Sequence, residues 1–69
     1  MLNDMKCEKM MSTEQTFLIK YGIHNFVTYA IAGGKHIFYI RKSERHAMIT
    51  HAQRLIESWY GEAADIRVV

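Results

Sequence analysis

Four histidines in 69 residues, His24, His36, His46 and His51, are the first candidates for metal ligation or acid–base work. Two ligands on one helix need a spacing of three or four, because only those intervals bring side chains to one face. His46 and His51 stand five apart, which turns them about 140° from one another on a helix. His24 falls in a loop and His36 at the far end of a strand, so the four do not converge and read as solvated or rim residues. Nucleophilic catalysis needs a Ser, Cys or Thr held against a base. Cys7 lies in an N-terminal stretch with nothing to orient it, Ser43 reads as a helix cap, and Ser58 falls on a solvated helix face. Glu44, Glu57, Glu62 and Asp65 come from one helix and its ends without a paired spacing. Gly33-Gly34-Lys35 has the letters of a phosphate loop but lacks its spacing and its following helix. The sequence therefore predicts a protein that is not an enzyme, with no metal and no cofactor.

What remains is a set of aromatic and basic residues, and their placement depends on the elements that carry them. Phe26 to Ala32 and Lys35 to Arg41 are two runs rich in β-branched and aromatic residues, joined by Gly33-Gly34. A two-residue hairpin turn needs φ > 0 at both central positions, which glycine supplies. The register that follows pairs Ala32 with Lys35, Tyr29 with Phe38 and Val27 with Ile40. One face then holds Val27, Tyr29, Ile31, Phe38 and Ile40, with His36 at its turn end. The other holds Phe26, Thr28, Ala30, Lys35, Ile37, Tyr39 and Arg41. The first is a core face, and the second is a mixed aromatic and basic surface.

Ser43 is expected to cap a helix running to about residue 60, with Glu44 favourably placed in its first turn. Leu55, Met48, Trp59, Ala52, Ile56, Ile49 and Tyr60 form one apolar arc, suited to the core face of the hairpin. Gly61 is the expected stop, and Ala64 to Val69 alternates as a last strand parallel to the third, with Ile66 and Val68 inward. Thr16-Phe-Leu-Ile-Lys-Tyr21 reads as a first strand by alternation. Residues 1–13 are expected to form a disordered or weakly ordered extension and 14–69 a single domain. The predicted class is α+β: a small single-layer antiparallel or mixed sheet in the order β-β-β-α-β, with one amphipathic helix on one face.

Hydrophobic residues at 49% and charged ones at 23% suit one small folded domain, and the net charge is +2. That charge is uneven. Lys20, Lys35, Arg41, Lys42 and Arg45 face only Glu44 between residues 20 and 45, whereas residues 1–15 are slightly acidic. A single thiol and no signal-like apolar stretch predict a cytoplasmic setting, and no run has the length of a membrane span. A domain of this size leaves the outer cluster of Phe26, Ile37 and Tyr39 without a second layer, which favours contact with a protein partner or a homodimer. The expected function is a non-catalytic binding module working through Phe26, Lys35, Ile37, Tyr39 and Arg41. By analogy of size, it would be a stoichiometric inhibitor or adaptor of the kind found in phages and mobile elements, for example against a host defence system. The alternative is a nucleic-acid-binding protein using Lys20, Lys35, Arg41, Lys42 and Arg45, since aromatic platforms with nearby cations suit bases and phosphates.

Overall fold

In a computed structural model, described over residues 12–69, the described segment opens on a helix. Helix α1 spans Thr13–Lys20, followed by strands β1 (Val27–Ala32) and β2 (Lys35–Ile40). Helix α2 (His46–Tyr60) then leads through a short 3₁₀ turn at Gly61–Ala63 into strand β3 (Ala64–Val68). The sheet order is β1-β2-β3, with β1 antiparallel and β3 parallel to the central β2. The α+β class, the mixed sheet, the hairpin register and the parallel last strand all stand as expected. The expected extension over residues 1–13 lies outside the described residues up to position 11.

The first element is a correction. Residues 16–21, expected as a strand, belong to α1 and its end. Ser12 caps that helix, its hydroxyl accepting from the Gln15 amide at 3.1 Å, and Glu14 sits in the first turn. The helix closes on a double turn in which the Gly22 amide donates to the Ile19 carbonyl and the Ile23 amide to the Leu18 carbonyl, both at 3.0 Å. Gly22 takes φ +71° to do so, and Leu18 and Ile23 are both fully buried, the apolar contact that accompanies such an ending.

Both helices lie on one face of the sheet. Phe17, Leu18 and Ile23 join Val27, Phe38, Ile40, Ala52 and Ile56 in one core, with Tyr29, Met48, Ile49, Leu55, Tyr60 and Ile66 packed against it. Three placements depart from the sequence reading here. Trp59, expected inward, is 61% exposed: α1 meets it edge-on through Phe17 without covering it. Ile31 and Val68 carry core-face parity but lie out in solvent, near the hairpin turn and at the chain end respectively. Helix α2 starts later than expected: Arg41 to Glu44 forms a turn closed by the Glu44 amide on the Arg41 carbonyl. The cap is therefore Arg45, with no side-chain hydrogen bond, and Ser43 is not used.

Candidate functional site

The face of the sheet opposite the helices carries no second layer among the described residues. By register it presents Thr28 and Ala30 from β1, Lys35, Ile37 and Tyr39 from β2, and Asp65 and Arg67 from β3. Tyr39 is half-buried, and the Arg67 guanidinium lies 6.0 Å from its ring centroid. That guanidinium also donates to one Asp65 oxygen through Nη2 at 2.8 Å and Nε at 3.2 Å. Since residues two apart on a strand share a face, the Asp65–Arg67 pair holds the cation beside the ring. Next to Tyr39 is a concavity of about 210 Å³, lined by Asn25, Thr28, Tyr39, Arg41 and Val69 among others. Its floor is braced by backbone bonds: the Arg41 amide donates to the Phe26 carbonyl at 2.9 Å and the Lys42 amide to the Val69 carbonyl at 2.7 Å.

Of the five residues expected to bind a partner, Tyr39, Lys35 and Arg41 are available on this face. Lys35 opens β2 and Arg41 follows its last residue, so the two are separated by about 20 Å at the rise of an extended strand. Phe26 is 4% exposed and part of the core, so it offers no free ring. The reason is a turn over Ile23–Phe26, where the Phe26 and Val27 amides both donate to the Ile23 carbonyl. That turn breaks strand alternation before residue 27. Ile37 keeps its predicted face but is only 7% exposed, flanked in the ladder by Ala30 and Asp65. The five cations of the nucleic-acid reading are all exposed, yet Lys20 stands apart from the open sheet face that carries Lys35 and Arg41. Lys20 belongs to the helical layer, where its Nζ lies 5.8 Å from the Tyr21 ring centroid. Arg41 is further committed, donating from Nη2 to the Asn25 carbonyl.

Two constellations escaped the sequence reading, and both depend on α1. The first joins one residue from each of four elements: Glu14, Tyr29, His36 and Tyr60. The Tyr29 hydroxyl is 2.8 Å from His36 Nδ1, and a Glu14 carboxylate oxygen is 3.7 Å from the same nitrogen. The His36 ring packs 5.2 Å from that of Tyr60. Burial, and then the Glu14 charge, push both phenols above their ordinary value. The hydroxyls therefore stay protonated at neutral pH, and His36 Nδ1 is already engaged. Chemically the cluster is a polar tie between α1 and the sheet. The second constellation is aromatic: Phe17 of α1 and Tyr21 at its C-cap meet Trp59 and Tyr60 of α2, with centroid separations of 5.7 to 6.3 Å. The signal that could have revealed both is the run from Ser12 to Gln15, a helix-capping pattern.

Among the described residues no group of three or more His, Cys, Asp or Glu side chains could hold a metal ion, and no helix is long and apolar enough to cross a membrane. Compared with known proteins, the chain matches no family model, no curated protein and no solved structure.

Proposed function

We propose that the protein is a non-catalytic binding module that docks on another protein through its open sheet face. The observation that carries this reading is Tyr39, held half-buried by Arg67 beside an unfilled concavity on a rigid three-stranded surface. Aromatic rings with arginine at the edge of a hollow are the residues that dominate protein contacts. Strand-borne side chains lose little freedom on binding, which favours such a patch further. The separation of Lys20, in the helical layer, from Lys35 and Arg41 on the sheet face favours a protein over a nucleic acid. A stoichiometric inhibitor or adaptor acting in the cytoplasm is the form of this module that its size suits.

A photo-crosslinking amino acid placed at Thr28, which is exposed on this face, tests the proposal in the native host. The expected result is a discrete protein adduct that disappears when Tyr39→Ala and Arg41→Ala are combined. Adducts to nucleic acid alone, or a protein adduct indifferent to both substitutions, would overturn it.

A further inference from the structure

The aromatic groove lies in the helical layer, away from the open sheet face, and has its own chemistry. Phe17 of α1 and Tyr21 at its C-cap, one turn apart, have ring centroids 5.2 Å apart. Trp59 stands 6.1 Å from Phe17 and 6.3 Å from Tyr21, and Tyr60 closes the inner end at 5.7 Å from Phe17. Between them is a hollow of about 200 Å³, room for one large side chain, with Thr16 and Lys20 at its rim. Phe17 is buried, so the wall is set before anything binds, while Trp59 remains 61% exposed. A half-covered tryptophan beside a preformed hollow is the arrangement from which binding hot spots are made.

Charge narrows the choice of occupant. Among the described residues, Lys20 is the only charged one lining the hollow. An aromatic cage for a quaternary ammonium or methylated lysine would set that ligand against a like charge, so a cationic guest is disfavoured. The Thr16 hydroxyl donates to the Ser12 carbonyl at 3.0 Å, so its proton is taken and Lys20 is the charged donor at the rim. The complement is a carboxylate next to a bulky apolar group.

We infer that this groove docks an acidic peptide segment of a partner protein. One aromatic or long aliphatic side chain enters between Trp59 and the Phe17–Tyr21 wall, and a neighbouring Asp or Glu pairs with Lys20. This site shares no residue with the sheet-face reading and stands or falls separately from it. With both surfaces occupied, the protein would bridge two partners.

A random peptide library selected on the full chain, with counter-selection against Trp59→Ala, decides the matter. The enriched peptides should share a bulky apolar residue with an Asp or Glu close beside it. Because Trp59 is the sole tryptophan, tryptophan-free versions of those peptides should shift its emission saturably. Lys20→Glu should weaken binding about tenfold through loss of the ion pair, whereas Lys35→Glu on the hairpin should leave it unchanged. Both groove positions are exposed, and far-UV circular dichroism of each variant verifies that it folds. The inference is overturned by no enrichment, by a basic or uncharged consensus, or by binding that survives both groove substitutions. Emission that shifts with protein concentration alone would assign the groove to a second copy and equally overturn it.

Discussion

Trp59 and Phe26 exchanged the roles that periodicity suggests for them, and the exchange is measurable. Phe26 has the strand parity of an outward residue but is buried, so Phe26→Ala should remove about 3–5 kcal/mol of stability, enough to unfold a marginal domain. Trp59 has the helical parity of a core residue but stands largely in water, so Trp59→Ala should lose no more than about 1.5 kcal/mol, the worth of its aromatic edges. Urea unfolding of the two variants side by side checks both, and equal losses would mean that the packing of α1 is misplaced. Tyr39→Ala should leave stability nearly unaltered while weakening the crosslinked partner by about 2 kcal/mol. Lys35→Ala, at the rim, should chiefly slow association.

Caps decide where helices begin, and here two serines compete for the role. Ser12 and Ser43 each precede an apolar run and look alike as sequence. The Ser12 hydroxyl accepts from the Gln15 amide, while Ser43 lies in the Arg41–Glu44 turn and caps nothing. Ser12→Ala should therefore lose about 0.5–2 kcal/mol and Ser43→Ala almost nothing. Chemical denaturation would show the reverse ordering if α2 began at Ser43. The strand-like pattern of Thr16 to Tyr21, which folds as a helix and its end, has a local cause. Its β-branched and aromatic residues alternate over a length at which strand and helix patterns are hard to separate. The capping run before it and Gly22 after it are the better witnesses, because each supplies backbone hydrogen bonds that only a helix end requires.

At the scale of the whole molecule, the four-element cluster of Glu14, Tyr29, His36 and Tyr60 ties α1 to the sheet and couples stability to alkaline pH. Both phenols are held above the ordinary value of 10.0, first by burial and then by Glu14, so the fold retains their protons more firmly than the unfolded chain does. The stability they contribute is complete below pH 10.0 and is lost as pH rises through their folded-state values. Thermal melts above that pH should fall more steeply for the wild type than for a Tyr29→Phe, Tyr60→Phe variant. Identical slopes would show that the cluster is not linked to folding. The case for a homodimer is also altered at this scale, since Phe26 and Ile37 are covered within the chain. Sedimentation should find a monomer at micromolar concentration, with self-association pointing to the exposed edges of β1 and β3.

The sequence by itself determined whatever depends on neighbours along the chain. Gly33-Gly34 carries the φ values of +58° and +76° that the hairpin turn needs, so the register and both sheet faces follow from residue order alone. The apolar arc of α2 likewise predicts Ala52 and Ile56 at the core, where both are fully buried. Only the tertiary structure decided which residues meet across elements. Whether Trp59 is covered depends on what lies beside α2, and α1 reaches it with Phe17 and Tyr21 without enclosing it. Burial of Phe26 depends on a turn at Ile23 that closes against α1 rather than on strand parity. Periodicity reports the side to which a residue points, whereas exposure depends on the second element that arrives there.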